Sequence, residues 1–170
     1  PSAVTREYVL ELDGSVDDAP ILSVFGGKLT TYRSLAEQVM DKIRRFFPNM
    51  GNPWTWSAPL PGGDVPGASF DHLVSDLETA YPKLDADFLF RLARRHGTRT
   101  YDVLGDAKTA NDLGRDFGAG LFAREVDFLA EHEWATTPED VLWRRTKCGL
   151  HMDDAAKSDL GDYMAAMRSG

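Results

Sequence analysis

The segment richest in chemistry is Ser23-Val24-Phe25-Gly26-Gly27-Lys28-Leu29-Thr30-Thr31-Tyr32-Arg33. An apolar run stops at two glycines, and a Lys and two Thr stand where a helix should open. Glycines at such a junction let a ligand approach the backbone closely. The first N–H groups of a helix, with its dipole, make an electropositive spot, and Lys28 adds a full positive charge. Two ligands suit it. One is a flavin, whose N1–O2 edge takes up negative charge on reduction, and the other is a phosphate. A third reading needs no ligand: a tight strand-to-helix turn with Thr30 as its cap.

The remaining candidates are weaker. No G-x-G-x-x-G and no G-x-x-x-x-G-K-[ST] occurs, so a dinucleotide pyrophosphate would have to be held elsewhere. Gly114, Gly118 and Gly120 have the wrong spacing and should shape a loop. Glu131-His132-Glu133 lacks the second His at i+4 that a zinc helix needs, which leaves a surface or helix-packing role. Cys148 and His151 form one C-x-x-H with no second ligand pair, so no metal is expected. Arg144-Arg145-Thr146-Lys147 sits late in a helix, where positive charge suits the dipole. Glu131, Glu133 and Asp140 are near enough in sequence to pair with it.

These residues need elements to position them. Arg6 to Leu12 alternates, with Tyr8, Leu10 and Leu12 on one face, and predicts a strand. Asp13–Pro20 is a turn, and Ile21–Phe25 a second strand, apolar enough to be the more buried one. After the glycines, Tyr32, Leu35, Ala36, Val39, Met40, Ile43, Phe46 and Phe47 form a helical stripe that Pro48 ends. Pro48–Gly67 is rich in Pro and Gly and reads as a linker, with Trp54 and Trp56 expected to pack against something.

Helices follow. Phe70, Leu73, Val74, Leu77 and Tyr81 make one stripe. Asp85 caps a second helix carrying Phe88, Leu89, Leu92 and Ala93, with Gly97 past its end. A short helix from Thr98 to about Gly105 and a longer one over about 121–134 come next. Thr137-Pro138-Glu139-Asp140 starts a helix that runs to Cys148 and stops at Gly149. Asp153 or Asp154 caps the last, with Leu160, Tyr163, Met164 and Met167. The expected organisation is therefore 1–47 as strands and helix, 48–67 as linker and 68–170 as an all-helical domain.

Composition removes whole classes of function. The chain has 170 residues, 19 Lys+Arg against 27 Asp+Glu, a net charge of −8 and a pI near 4.9. A nucleic-acid binder needs a basic face and a polybasic membrane anchor needs basic clusters. No apolar run approaches the ~20 residues of a spanning helix. Residues 1–47 carry −1 and the rest −7, so the helical part is the acidic part. The single Cys148 excludes an internal disulfide and fits a reducing compartment. The start, Pro1-Ser2-Ala3-Val4, has no secretory signal and reads as the edge of an excised piece.

Several separated stretches together resemble the FAD-dependent (aerobic, quinone-linked) glycerol-3-phosphate dehydrogenases. They are the Ser23–Arg33 segment with Leu35-Ala36-Glu37, Leu60-Pro61-Gly62-Gly63, and Asp112-Leu113-Gly114-x-Asp116-Phe117-Gly118. Glu125-Val126, Glu131-His132-Glu133-Trp134-Ala135 and Asp140-x-Leu142-Trp143-Arg144-Arg145-Thr146-Lys147-x-Gly149-Leu150 complete the set. The resemblance covers nearly the whole chain.

It implies that the chain is the last third or so of such an enzyme. The fold would be mainly α: a C-terminal helical domain preceded by a β-hairpin and helix that complete an α/β FAD-binding domain lying upstream. The upstream part would hold the Rossmann glycines and most of the substrate pocket. The whole enzyme would oxidise sn-glycerol 3-phosphate to dihydroxyacetone phosphate, passing electrons through FAD to quinone. It would be cytoplasmic and peripheral to the inner membrane. Gly26, Gly27, Lys28, Leu29 and Thr30 would line the flavin, with Lys28 also catalytic. The chain alone would bind no FAD and be inactive. Its partners would be the upstream domain and quinone; the Tyr32–Phe47 stripe needs a cover, which either the helical domain or a second copy in a homodimer would supply. No nucleic acid is expected. A different class of reading is an independent acidic helical module that binds a protein partner without catalysis. A reading frame extending upstream into G-x-G-x-x-G separates the two.

Overall fold

A computed structural model of the chain describes residues 7–15 and 18–168. The expected strand residue Arg6, the turn residues Val16 and Asp17, and the Pro1–Val4 start lie outside the described residues. The protein is mainly helical with a two-stranded hairpin, as the sequence implied, and it divides into two compact units, 1–59 and 60–170.

In the first unit, β1 (Val9–Asp13) pairs antiparallel with β2 (Ile21–Phe25) in the register Val9↔Phe25 to Asp13↔Ile21. Tyr8, Leu10 and Leu12 are half-buried while their neighbours are exposed, as the alternation requires. A single 3₁₀ turn (Leu29–Thr31) leads into α1 (Tyr32–Ile43), and a second, Arg44–Phe46, tightens its end before Pro48. No described residue of this unit is fully buried.

Two expectations fail here for one reason. β2 is not a buried strand, because Ile21, Val24 and Phe25 are 64%, 46% and 54% exposed. Trp54 and Trp56 remain 67% and 74% exposed. A hairpin and one helix supply no second layer to cover these faces.

Residues 48–67 are shared between the units. Thr55 donates to the Glu37 carboxylate and Arg44 Nη1 donates to the Gly51 carbonyl at 3.4 Å. By contrast, Thr98 N donates to the Gly62 carbonyl at 3.1 Å within the second unit.

The second unit is built from α2 (Phe70–Ala80), α3 (Ala86–His96), α4 (Thr100–Leu104), α5 (Ala123–His132) and α6 (Asp154–Met167). Side-chain caps start three of them. Ser69 accepts from His72 N, Asp85 from Phe88 N at 2.8 Å and Asp153 from Ala156 N at 2.8 Å. The stripes converge on one core in which Leu73, Leu77, Leu89, Leu92, Leu104, Leu121, Leu129 and Leu160 are at most 1% exposed. Each such leucine contributes roughly 1.5–3 kcal/mol by leaving water. The glycine-bearing stretch Gly114–Gly120 is a loop, as expected, closed by an isolated bridge between Asp116 and Phe122.

The helix begun at Thr137 departs from expectation. Asp140 accepts from the backbone N–H groups of Thr136 and Thr137 at 3.0 and 2.9 Å, and Thr137 Oγ1 accepts from Asp140 N. The start is therefore as read. The helix then continues as a π-helical segment, Asp140–Arg145, in which Thr146 bonds back to the Val141 carbonyl through both N–H and hydroxyl. It ends at Thr146, not Cys148, because Lys147 takes left-handed geometry (φ 70°). Gly149 is not the stop; its missing side chain makes room for the Trp143 ring.

Candidate functional site

The Gly26–Thr30 turn is fixed by the hairpin beside it. Gly26 has φ +78°, and a Cβ there would lie 3.2 Å from the Glu7 carbonyl, so both the turn and the close strand demand glycine. Lys28 is extended, at φ −97° and ψ 145°, and occupies the position before the first helical turn. Its carbonyl accepts from Thr31 N at 3.0 Å and from Thr31 Oγ1 at 2.9 Å. Thr30 is therefore not the cap. Thr31 closes the turn from the other side, and no side chain accepts the opening N–H groups. The backbone N–H groups of Lys28, Leu29 and Thr30 find no acceptor among the described residues. Lys28, Leu29 and Thr30 are all exposed, Leu29 at 89%.

A hollow of about 410 Å³ lies against this turn, lined by Glu7, Tyr8, Lys28, Thr31 and Gln38. Gln38 donates to the Tyr8 hydroxyl across its floor, and Arg33 pairs with Glu37 at 3.1 Å one helical turn on. The local segment alone could not announce Tyr8 or Gln38. The β1–β2 register brings Tyr8 next to Gly26, and the helical repeat brings Gln38 over the turn. The arrangement can take an anionic edge: uncommitted N–H groups, a cation and backbone that a ligand can approach.

The other sequence candidates fall apart or pair internally. His132 is exposed beside Glu131, at 3.8 Å, while Cys148 is buried with its Sγ facing the Ala119 carbonyl and His151 is exposed. Burial pushes the Cys148 thiol up from its ordinary pKa. Arg144 pairs with Asp140 at 2.8 Å, as the internal reading held. Arg145 differs: its Nε donates to the main-chain carbonyl of Glu133 at 2.9 Å, not to a carboxylate. The Glu133 carboxylate is taken by Arg99 from α4's leading turn. Among the described residues no group of three or more His, Cys, Asp or Glu is placed to hold a metal ion, and no helix is long and apolar enough to cross a membrane.

Residues 54–169 match the family described as the C-terminal domain of alpha-glycerophosphate oxidase. The chain is 47% identical over 164 residues to a glycerol-3-phosphate dehydrogenase of Pseudomonas aeruginosa, covering 96% of this chain and 32% of that protein. It is 44% identical over 158 residues to D-erythritol 1-phosphate dehydrogenase of Brucella abortus, covering 93% and 31%. It is 39% identical over 164 residues to the aerobic glycerol-3-phosphate dehydrogenase of Escherichia coli, covering 96% and 32%. The chain thus spans about a third of the length of these relatives, and matches over 96% of it take in the Gly26–Thr30 turn.

Proposed function

The chain belongs to the family of the C-terminal domain of alpha-glycerophosphate oxidase, and from this we propose that it is the carboxy-terminal part of an FAD-dependent polyol-phosphate dehydrogenase. The substrate we favour is sn-glycerol 3-phosphate, oxidised at its secondary carbinol to dihydroxyacetone phosphate, with quinone as the final acceptor at the cytoplasmic face of the inner membrane. The supporting observation is the open turn Gly26–Thr30, whose unaccepted N–H groups and Lys28 ammonium suit an anionic edge. The chemistry a flavin supplies there is acceptance of a hydride from the carbinol carbon while the hydroxyl proton leaves to a base.

What this chain's own residues do follows from charge. Leu29 and Thr30 would offer backbone N–H groups to the flavin's N1–O2 edge, where the hydride's charge accumulates, without needing to reorganise. Gly26 and Gly27 would leave the space for that approach. Lys28 would stabilise the same charge, hold the substrate's phosphate, or serve both. In a protein of the relatives' length, the pyrophosphate grip and most of the substrate pocket would come from the other two-thirds. That is why the isolated chain should bind no FAD and turn nothing over.

The test uses protein of the relatives' length and, beside it, the 170-residue chain. The long protein should bind FAD and reduce a quinone analogue in the presence of sn-glycerol 3-phosphate. D-erythritol 1-phosphate, named by one relative, should be the poorer substrate. Turnover of neither polyol phosphate by a flavin-loaded protein would reject the reading. Near-stoichiometric flavin absorbance on the 170-residue chain would reject the division of labour.

A further inference from the structure

We propose that the cleft at the C-terminal end of α3 is an oxyanion site that takes a small tetrahedral anion of the phosphate class. The cleft measures about 230 Å³ and lies wholly within the second unit. Three guanidinium groups line it, from Arg95, Arg99 and Arg145, together with His96, Pro61 and the Glu133 side chain, and Leu129 contributes an apolar wall. Three stretches far apart in sequence meet here: Leu60–Gly63, Glu131–Ala135 and Trp143–Lys147.

Two of the three guanidinium groups are committed to carboxylates. Arg95 is spent on the buried Glu125, through Nε and Nη2 at 2.7 Å each. Arg99 is spent on Glu133 and, at 3.6 Å, on Asp102, and its guanidinium lies 4.6 Å over the Phe128 ring. Among the described residues Arg145 has no carboxylate partner. Its Nε donates to a neutral carbonyl, which anchors the side chain and leaves both terminal nitrogens without a partner among the described residues. Arg145, itself exposed, is thus the guanidinium of the cleft with no carboxylate partner among the described residues, in residues 48–170, which together carry −7. A cation without a counter-ion raises the local concentration of anions.

The shape of the donors selects the ligand. A guanidinium held by Nε presents its two terminal NH₂ groups as a planar fork, which matches two oxygens of a phosphate. Among the described residues Arg95 Nη1 has no acceptor, and it adds a donor from another element. Donors arriving from α3 and from the Asp140–Arg145 segment suit a tetrahedral anion better than a planar carboxylate.

The experiment is an NMR titration of the 170-residue chain with inorganic phosphate, ionic strength held constant with sodium chloride. The arginine Nε–Hε signals of Arg95, Arg99 and Arg145 should shift and saturate. Sulfate should reproduce the shifts and acetate should bind several-fold more weakly. Arg145→Gln should weaken phosphate binding about ten- to a hundredfold. Arg145→Lys, which keeps the charge but not the fork, should weaken it several-fold and guards against a misfolded Gln variant. Lys28→Met should leave these shifts unchanged, which separates this cleft from the turn in the first unit. Non-saturating shifts that chloride reproduces, acetate binding as tight as phosphate, or no effect of either Arg145 variant would each overturn the proposal.

Discussion

Arg95 and Glu125 face each other through two parallel hydrogen bonds of 2.7 Å, with the carboxylate side chain only 2% exposed. The pair ties α3 to α5, and His96 Nε2 donates to the same Glu125 Oε1 at 2.7 Å. Burial on its own would raise the Glu125 pKa, but the hydrogen bonds from His96 and Arg95 and the Arg95 charge outweigh it and hold the carboxyl below its ordinary value. Burial likewise opposes the Arg95 charge, and Glu125 more than restores it.

Breaking that pair from one side should be costly. Glu125→Gln leaves the Arg95 charge buried with no counter-ion, and about 3–5 kcal/mol of stability should be lost. The double variant Glu125→Leu/Arg95→Met should recover much of it, because neither charge is stranded. Urea unfolding of the three proteins measures this; equal losses in the single and the double would show that packing, not charge, matters there.

Acid should act on the same carboxylate. Its folded pKa is depressed from 4.5, so its contribution is complete above the unfolded value and disappears as pH falls through the folded one. Asp140 behaves alike: the hydroxyl of Thr137, the backbone N–H of Thr136 and their neighbours hold it at about 2, from 3.8. Stability should therefore be flat near neutrality and fall steadily below about pH 4.5. The Asp140 carboxyl should titrate near 2 when followed by NMR, and a midpoint at 3.8 would contradict the capping geometry.

Thr100 is an opportunity for stabilisation. It is 0% exposed and its hydroxyl has no hydrogen-bond partner among the described residues. Thr100→Val removes an unsatisfied polar group at nearly constant shape and should raise stability by about 1 kcal/mol. Calorimetry reads the result. A clear loss would mean that the hydroxyl is bonded, for instance to a buried water.

Gly62 and Gly118 both have positive φ, +82° and +89°, but differ in surroundings. A Cβ on Gly62 would collide with the His96 carbonyl, whereas none of the surrounding atoms lies within 4 Å of one on Gly118. Gly118→Ala should cost only conformational strain, about 1 kcal/mol. Gly62→Ala must also push the Leu60–Gly63 strap off the end of α3, and should cost at least twice as much. Equal costs by chemical denaturation would show that the strap is loosely held.

Lys28 separates two roles in the proposed enzyme. Lys28→Met keeps the stem and removes the charge. If that charge acts on the transition state, kcat and kcat/KM should fall together; if it holds only the phosphate, KM should rise alone. The expected loss is on the order of 1.5–3 kcal/mol, or about ten- to a hundredfold. Arg33, which pairs with Glu37, should matter less. Unchanged kcat, KM and flavin content would leave the turn a structural feature.

What the sequence determined was local. The apolar stripes of α2, α3 and α6, the caps at Asp85 and Asp153, the Thr137–Asp140 start and the glycine turn before α1 all depend on residues within a few positions of one another. Backbone geometry fixes those relations before any tertiary contact forms. Only the tertiary structure decided which arginine meets Glu125, thirty residues away, and that Arg145 finds the carbonyl of Glu133 rather than its carboxylate. It also decided that β2 stays open. Charge and apolarity say what a residue wants. Which partner comes within hydrogen-bond reach, and whether a second layer exists to cover a face, depends on how distant elements pack.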